Sequence, residues 1–453
     1  MAVSLSRALA GHARMTVRAG LPVAVSDATE LFVLNSLGTV VAGCRRPVVD
    51  RLVGTALRLG VASTHRVPGR PESLDLTWSA LAAGAAGHVD DFDDTHPVTY
   101  IHAGPTLVAT GLTLTQLVDV PGARLLEAIA LGYEVQLRAG LTISPEQYIA
   151  GWHSTGVFGV IGAATTASIL LDFDEDATAA AIDLAAQLVL GHQEGLGTMN
   201  KSFHAGRAAA NGLRVALAVR AGLRPSAGAG GLEAMLGAMA IGYAPRLEQA
   251  TEGIGECVWR LLDNRTKPFP CGVVAHPGVE AAVTAAGALA GTLDSVRRIV
   301  LRCFPLATKL TGIPEPTTEL NARLSLPHAV AAALVRGRAG LPEFSQDSIV
   351  DPEIARLRRR VELVAEQQRS EFSANLTTER EGLPAVVREI TSVTGSPDHP
   401  MSYQAVADKF SDLVEPALPG RSEALRGCVG ALAVADSLSA LQALIRSEAE
   451  AHS

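Results

Sequence analysis

The sequence contains few cysteines, few aromatic residues and no excess of basic residues. Its five cysteines form neither a CxxC pair nor a closely spaced cluster, which argues against a zinc site or a disulfide framework and predicts free thiols in a reducing cytoplasm. Aromatic residues make up 4% of the chain, too few to line a cavity that stabilises a carbocation. The formal net charge of −8 argues against a nucleic-acid partner, because phosphate binding requires a basic face.

Long apolar segments are also missing. The longest uncharged run, from Ser154 to Leu171, is interrupted by glycine, serine and threonine, and it predicts a buried helix instead of a membrane span. The first 26 residues contain three arginines and no acidic residue, as a transit segment does, but they lack the apolar core of a secretion signal. With 48% apolar residues, a chain of 453 residues is expected to be globular and to form more than one domain.

Lysine is nearly absent. Of the 38 lysines and arginines, only four are lysines, namely Lys201, Lys267, Lys309 and Lys409. Lysine can lose its proton when it is desolvated and arginine cannot, so these positions are the first candidates for acid/base chemistry. Lys409 belongs to a helix that is expected to be exposed, and no chemical role is predicted for it.

The most unusual stretch spans residues 87–105. It places four aspartates within five positions and includes three histidines. If the preceding helix continues through it, Asp91 and Thr95 lie on one face, and Pro97 ends the helix.

Three interpretations of this acidic stretch are open. The first is an acidic helix end in water. The second is a magnesium–diphosphate site, because Asp90, Asp91 and Asp94 have the DDxxD spacing that holds Mg²⁺ through carboxylates. The third is an acid/base and hydrogen-bonding wall for a small polar substrate, with His102 as the titrating group.

Two further groups of polar residues precede predicted helices. Tyr148 and His153 lie shortly before the uncharged helix, so His153 could face a ligand. Lys201 and His204 lie at the start of an alanine-rich helix, where unpaired N–H groups favour an anion. A substrate that carries a carboxylate would be held well there.

Helical periodicity predominates up to residue 264. Asp27 and Glu30 resemble a capping pair at the start of a helix. Strand-like runs follow at 296–303, 361–364 and 385–390, with helices predicted at 317–335 and 351–358. The predicted fold is therefore mainly α, with an all-helical domain formed by residues 1–264 and 402–453 and a smaller α+β domain formed by residues 265–401.

Four blocks of the sequence resemble those of the MmgE/PrpD family, in the order and roughly the spacing of that family. They are residues 91–95, 151–156, 201–209 and 267–271. The resemblance extends over nearly the whole chain, as far as Lys409 and Phe410. It implies a large all-helical domain, a smaller α+β lid domain, a homodimer, and no requirement for a metal or an organic cofactor.

The resemblance also implies the position of the active site. Carried over by position, the site residues are Asp91, Thr95, His102, His153, Lys201 and Lys267. Further candidates for substrate binding are His204, His276 and His328, and the family often has an aromatic hydroxyl at the position of His328. Tyr148 resembles a residue of the epimerase branch of the family, in which it would act with Lys201 as an opposing pair of proton donor and acceptor.

Activities of this family share the formation or consumption of a carbanion-like centre beside a carboxylate. The resemblance therefore predicts a cofactor-independent lyase, a dehydratase or a decarboxylase, that acts on a small di- or tricarboxylate. An epimerase of a dicarboxylate is the alternative, and a non-catalytic polycarboxylate-binding protein is a more distant one. An isoprenoid synthase is disfavoured because the sequence contains no second magnesium motif.

The resemblance also implies a role for each of these residues. The cationic binding and acid/base groups would be His102, His153, Lys201 and Lys267. Asp91 would orient a histidine, and Thr95 would form a hydrogen bond to the substrate.

Overall fold

A computed structural model describes residues 3–60, 63–225, 230–256 and 258–447 of the chain. Cys257 lies outside the described residues. Among the described residues, no disulfide joins the other four cysteines, Cys44, Cys271, Cys303 and Cys428.

Most elements of the fold are helices, and the longer strands all occur in the C-terminal half. The α-helices are α1 (Leu5–Ala19), α2 (Val23–Gly43), α3 (Pro47–Arg58), α4 (Leu76–Val89), α5 (Gly104–Leu114), α6 (Gly122–Leu141), α7 (Glu146–Ile149), α8 (Ser154–Leu170), α9 (Glu175–Ala186), α10 (Met199–Arg220), α11 (Gly231–Met239), α12 (His276–Leu289), α13 (Pro305–Thr311), α14 (Glu319–Ala322), α15 (Leu326–Arg336), α16 (Gln346–Val350), α17 (Pro352–Arg358), α18 (Tyr403–Val414), α19 (Ser422–Gly430) and α20 (Ser439–Leu444). The strands are β1 (His65–Arg66), β2 (Ser73–Leu74), β3 (Asp94–Thr95), β4 (Arg265–Thr266), β5 (Val296–Cys303), β6 (Val361–Ala365), β7 (Ala374–Arg380) and β8 (Leu383–Ile390). This content confirms the predicted fold class.

Contacts within the chain group it into two compact units. The first comprises Met1–Val89, Asp93–Asn264 and Ser402–Ser453, and the second comprises Asp90–Phe92 and Arg265–Met401. Helices α1–α11 and α18–α20 belong to the first unit, and helices α12–α17 belong to the second. Nothing in the sequence pattern indicates that the short segment Asp90–Phe92 groups with the second unit.

The first unit is built around helices rich in small residues. Helix α10 packs along both α4 and α8, and α8 also packs against α6. Every residue of α8 is buried, which confirms the prediction of a buried helix. In the parts of the chain that the structure describes, we find no helix with the length and apolar character of a membrane span.

Two glycines let α4 and α10 approach each other backbone to backbone. A Cβ atom on Gly206 of α10 would lie 2.1 Å from the carbonyl oxygen of Leu81 in α4, and a Cβ atom on Gly84 would lie 2.9 Å from Gly206 Cα. A larger side chain at either position would push the two helices apart. The close approach therefore sets the position of the first turn of α10, with Lys201, relative to α4.

Two expectations about helix ends are wrong. Helix α2 begins at Val23, so Asp27 and Glu30 lie inside the helix and do not cap it. Helix α4 ends at Val89, and Asp91 has a φ of 52°, which a right-handed helix does not allow. The helix therefore does not continue through the acidic stretch.

The expectation of an exposed Lys409 is also wrong. Lys409 on α18 is buried, and its Nζ atom donates a hydrogen bond to Asn35 Oδ1 at 2.8 Å. Helix α18 packs on α2, so a tertiary neighbour that the local pattern cannot reveal covers this side of the helix.

The second unit contains a mixed four-stranded sheet in the order β6–β5–β7–β8. Strand β5 pairs in parallel with β6 and antiparallel with β7, and β7 pairs antiparallel with β8. Helix α12 packs against β7 and β8, and α15 packs against β6. The strand-like runs predict β5, β6 and β8, whereas β7 gives a weaker signal because Ala374 and Leu376 are its only apolar residues.

Replacing Gly206 by alanine should destabilise the first unit, because the added methyl group meets the Leu81 carbonyl oxygen and α4 and α10 must separate. The expected loss is about 1–3 kcal/mol of unfolding free energy, measured by chemical denaturation. Gly427→Ala is the matched control, since Gly427 lies in α19 and no described atom lies within 4 Å of an added Cβ. There the higher helix propensity of alanine should raise stability by up to about 1 kcal/mol. Equal effects of the two substitutions would contradict the close-packing explanation.

Candidate active site

A buried carboxylate, Asp93, lies between two imidazoles. Its Oδ2 atom is 2.5 Å from Nδ1 of His88, and its Oδ1 atom is 3.4 Å from Nδ1 of His102. Burial alone would raise the pKa of Asp93, but the two histidines hold it well below its usual range. The carboxylate is therefore ionised; it hydrogen-bonds to the His88 ring and lies beside the His102 ring.

The chain reaches this arrangement through an irregular segment that follows α4. Asp91 and Tyr100 both have positive φ angles, 52° and 54°, and such a conformation costs a non-glycine residue about 1–3 kcal/mol. The backbone N–H of His102 donates to Thr155 Oγ1 at 2.9 Å. These features bring Asp93 and His102 back to His88 at the end of α4.

Asp94 anchors the same segment. Its carboxylate accepts hydrogen bonds from the Tyr133 hydroxyl at 2.9 Å, the Asn264 side-chain amide at 2.5 Å and the Gly104 backbone N–H at 3.1 Å. Burial and the charge of Asp93 raise the pKa of Asp94 to about 6, against the opposing effect of the hydrogen bonds from Asn264 and Tyr133. Asp94 therefore ties the acidic segment to the start of α5.

Two more histidines lie in a row next to His88. His153 is the N-cap residue of α8, and its ring stacks on that of His88 with centroids 5.5 Å apart and 17° between the ring planes. Its Nδ1 atom lies 3.1 Å from Nδ1 of His204 in α10. His153 is buried, whereas His204 is partly exposed. We call His88, His102, His153 and His204 the histidine cluster.

Burial keeps the inner histidines neutral. Burial, opposed by Asp93 and reinforced by the charge of Lys201, lowers the pKa of His88 to about 4. Burial also lowers the pKa of His153 well below its usual range, with further contributions from His88 and Lys201. At neutral pH both rings can therefore donate one proton and accept another.

Three helices begin beside the histidine cluster. Helix α5 begins two residues after His102, α8 begins directly after His153, and Lys201 lies in the first turn of α10. The first N–H groups of a helix have no partner within the helix and carry the positive end of its dipole. The first N–H group of α5 already donates to the Asp94 carboxylate. Together with the Lys201 ammonium group, the N-termini of α8 and α10 favour the binding of further carboxylates.

The contact between His88 and Asp93 fits a hydrogen bond better than a metal site. Among the described residues, His88, Asp93 and His102 form the one group whose possible metal-ligand atoms all lie within 4.8 Å of one another. Ligand atoms around one zinc ion each lie about 2 Å from the metal and therefore about 3 Å or more from each other. The 2.5 Å between His88 Nδ1 and Asp93 Oδ2 is shorter than that, and it fits a charge-assisted hydrogen bond.

Lys267 and Asp91 form a buried ion pair within the second unit. Lys267 Nζ is 2.6 Å from Asp91 Oδ1 and 3.4 Å from the Cys271 carbonyl oxygen. The same carbonyl accepts a hydrogen bond from His276 Nε2 at 3.2 Å. Pairing offsets the cost of burying the lysine charge. The Asp91 side chain thus pairs with a lysine, whereas Asp93 contacts histidines.

The structure does not support two of the three interpretations of the acidic stretch. All four of its aspartates are buried, which excludes an acidic helix end in water. The oxygens that a magnesium ion would need also have protein partners: Asp90 accepts from Arg323 at 2.6 Å, Asp91 pairs with Lys267, and Asp94 accepts the three hydrogen bonds described above. The third interpretation, an acid/base and hydrogen-bonding wall, stays a prediction.

The remaining predicted residues lie in different surroundings. Thr95 is buried in the first unit, and its hydroxyl has no hydrogen-bond partner among the residues that the structure describes. The Tyr148 ring stacks on that of Tyr100, with centroids 4.5 Å apart. In the second unit, His328 is buried and donates from Nε2 to the Glu343 carbonyl at 3.0 Å.

His88 and Asp93 have no predicted role, although both lie in the acidic stretch. Their contact depends on the end of α4 at Val89 and on the positive φ of Asp91, and hydrophobic periodicity signals neither. One feature of the sequence could have indicated them: a histidine lies at the end of an apolar helix, and two pairs of aspartates follow directly after it.

Substitution of His328 should weaken the pH dependence of stability. Burial lowers the pKa of His328 to about 4, so in the acid range below its ordinary value the unfolded chain binds a proton that the folded chain does not. Stability from this group is fully present above about pH 6.5 and is lost as the pH falls toward 4, by up to about 3 kcal/mol. His328→Gln keeps a donor for the Glu343 carbonyl but cannot titrate.

We therefore expect the unfolding free energy of His328→Gln, measured by urea denaturation, to change less between about pH 6.5 and pH 4.5 than that of the wild type. The two proteins should have similar stability above that range, because His328 is neutral there. Identical pH dependences for both proteins would contradict the assigned state of His328.

Comparisons with known proteins agree with the sequence resemblance. Sequence models of the MmgE/PrpD N-terminal domain and of the MmgE/PrpD C-terminal domain match residues 7–244 and 269–430, respectively. The chain is 28% identical to cis-aconitate decarboxylase of Mus musculus over 346 residues, which cover 73% of this chain and 70% of the mouse protein. It is 31% identical to cis-aconitate decarboxylase of Homo sapiens over 310 residues, which cover 65% of this chain and 63% of the human protein. The N-terminal match alone covers more than half of the sequence, and the chain therefore belongs to the MmgE/PrpD family.

Proposed function

We propose that the protein is a cofactor-independent lyase that acts on a small tricarboxylate of the cis-aconitate or citrate type, with decarboxylation as its reaction. The observation that carries this proposal is the histidine cluster around Asp93, with Lys201 and the N-termini of α8 and α10 beside it. The similarity to two cis-aconitate decarboxylases supports this class of substrate. Dehydration is the second candidate, because it needs the same carboxylate binding and proton transfer.

Binding of the substrate carboxylates would depend on positive charge and on N–H donors. Lys201 supplies a full charge in the first turn of α10, and the helix N-termini supply partial charges. The buried Thr95 hydroxyl can donate one further hydrogen bond. Because His88 and His153 are neutral, they add hydrogen bonds without attracting a second anion from solvent.

Decarboxylation breaks a carbon–carbon bond and leaves an electron pair on the carbon that carried the lost carboxylate. This charge spreads into a neighbouring carboxylate, which the cationic groups stabilise, and a proton then adds to carbon. His102 and His153 are the proposed acid/base groups, and Asp93 orients the His102 ring. One proton is consumed for each CO₂ released.

The proposed roles of Lys267 and Asp91 in substrate binding rest on the family resemblance. Their ion pair belongs to the second unit, where Lys267 is buried and also contacts the Cys271 carbonyl. A substrate carboxylate could replace part of the interaction between Lys267 and Asp91, because lysine has three donors. His276 and His328 keep their predicted role in substrate binding as a proposal, and each has a backbone carbonyl partner.

Proton NMR in D₂O tests the reaction. With cis-aconitate, citrate, 2-methylcitrate and an aspartate-derived dicarboxylate as candidate substrates, we expect cis-aconitate to lose CO₂ and the product to carry deuterium at the protonated carbon. Asp93→Asn should lower kcat by about 10²–10⁴-fold, because the neutral amide no longer orients the His102 ring as a carboxylate does. Loss of water would favour the dehydratase. Deuterium uptake without breakdown would favour the epimerase, for which Tyr148 and Lys201 are the candidates, and no change in any acid would contradict a lyase.

Ligand-induced stabilisation tests the role of Lys267 separately from turnover. A tricarboxylate that binds only the folded protein should raise the melting temperature, and Lys267→Ala should abolish this rise. Lys309→Ala is the matched control, because it makes the same substitution at an exposed lysine of the second unit. A full rise in the Lys267 variant would contradict its role in binding.

A further inference from the structure

We propose that His153 and His204 form a proton relay that connects the buried histidine cluster with solvent. The proposal rests on the proposed function, because decarboxylation consumes a proton that must reach a buried site from water. It also changes the role of His204, which the resemblance suggests as a substrate-binding residue.

The contact between the two rings requires a shared proton. Their Nδ1 atoms lie 3.1 Å apart, and a neutral imidazole carries a proton on only one of its two nitrogens. Two Nδ1–H groups would repel each other at this distance, and two lone pairs would leave both atoms without a hydrogen bond. One ring therefore carries its proton on Nδ1 and the other on Nε2, and transfer of the shared proton exchanges these states.

The two ends of the pair differ in exposure. His153 is 2% exposed, and its Nε2 atom has no hydrogen-bond partner within the described ranges of the chain. The His153 ring stacks on that of His88, whose Nε2 atom also has no hydrogen-bond partner there. Buried polar nitrogens normally have a hydrogen-bond partner, so Nε2 of His153, at the inner end of the pair, is suited to a hydrogen bond with the substrate. His204 is partly exposed and lies near the exposed His192, so the outer end is accessible to water.

Backbone contacts hold both rings in place. The backbone N–H of His153 donates to the Gly191 carbonyl at 3.0 Å. Gly191 has a φ of 149°, and a Cβ atom there would lie 3.4 Å from Nδ1 of His204. Arg207, one turn after His204 in α10, donates to the carbonyls of Gly156 and Leu190 and so ties the first turn of α8 to the loop before Gly191. The geometry is thus set by two helices and one loop.

The charges around the pair keep both rings neutral between transfers. His153 has Lys201, His88 and His102 near it, and burial with these groups lowers its pKa well below its usual range. Burial, followed by the charges of Arg207 and His192, lowers the pKa of His204. A ring that holds its proton weakly passes it on readily, which a relay requires.

The transfer can be written with all protons accounted for. His204 takes a proton from water on Nε2 while its Nδ1–H points to His153. When the substrate carbanion takes the Nε2 proton of His153, an N–H bond breaks and a C–H bond forms, and the Nδ1 proton of His204 moves to Nδ1 of His153. The net change is one proton moved from water to carbon. In the empty site, His204 then releases its Nε2 proton to water, the Nδ1 proton of His153 returns to Nδ1 of His204, and Nε2 of His153 takes a new proton from water, which restores the starting state.

Chemical rescue of His204→Ala tests the relay. We expect kcat to fall by about tenfold to a hundredfold with little change in KM, and we expect added imidazole to restore part of the lost kcat without affecting the wild type. His192→Ala, which removes the neighbouring exposed imidazole that does not contact His153 Nδ1, is the control and should keep full activity. A higher KM with unchanged kcat would assign His204 to substrate binding, and a lower kcat that imidazole does not restore would show a structural role; either result overturns the relay.

A second measurement does not depend on turnover. In protein labelled with ¹⁵N-histidine and free of substrate, one Nδ1 of the pair should carry a proton and the other should not. Exchange of the His153 N–H proton with water should be slower in His204→Gln by about tenfold. If the wild type converts no acid, the proposed function fails, while this exchange still decides the relay. Equal exchange rates in the two proteins would contradict it.

Discussion

The buried charge of Asp93 is the interaction on which the candidate site depends. Moving a carboxylate out of water costs several kcal/mol unless nearby groups stabilise it; here the His88 imidazole hydrogen-bonds to it at 2.5 Å and the His102 imidazole lies 3.4 Å away. To bring them together, helix α4 must end at Val89 and the following segment must accept positive φ angles at Asp91 and Tyr100. Asp94 secures this segment through Tyr133, Asn264 and Gly104, and the glycine contacts between α4 and α10 keep the supporting helices close. The strain of the segment is offset by the hydrogen bonds that it permits.

A second constraint is that the candidate site, for which we propose an anionic substrate, is built mostly from neutral groups. Burial keeps His88 and His153 uncharged at neutral pH, so the positive potential comes from Lys201 and from the N-termini of α8 and α10. Neutral imidazoles can both give and take protons, which fixed arginines cannot do. This explains why a chain that uses arginine almost everywhere else has a lysine and histidines at these positions. Lys201 and the helix N-termini thus supply positive charge, while the neutral imidazoles can transfer protons. This combination suits the proposed decarboxylation, in which CO₂ leaves and a proton is added.

Periodicity and composition predict much of this fold but little of the geometry of the site. The apolar run of α8 and the strands β5, β6 and β8 follow from local patterns, because a buried helix and a half-buried strand impose their own spacing. The burial of Lys409 does not follow, since α2 covers it from more than 300 positions away in the chain. Within the site, family blocks point to His102, His153 and Lys201, but the contact of Asp93 with His88 depends on an irregular turn. Such turns depend on tertiary hydrogen bonds, which no short window of sequence contains.

The most direct test of the central claim is a crystal structure of the protein with tricarballylate, a saturated tricarboxylate with neither a double bond nor a hydroxyl group to react. The account predicts that its carboxylates lie within hydrogen-bonding distance of Lys201 and of His102 or His153, while His88 and Asp93 keep their mutual contact. Binding at a place remote from the histidine cluster would contradict the assignment of this cluster as the site of reaction.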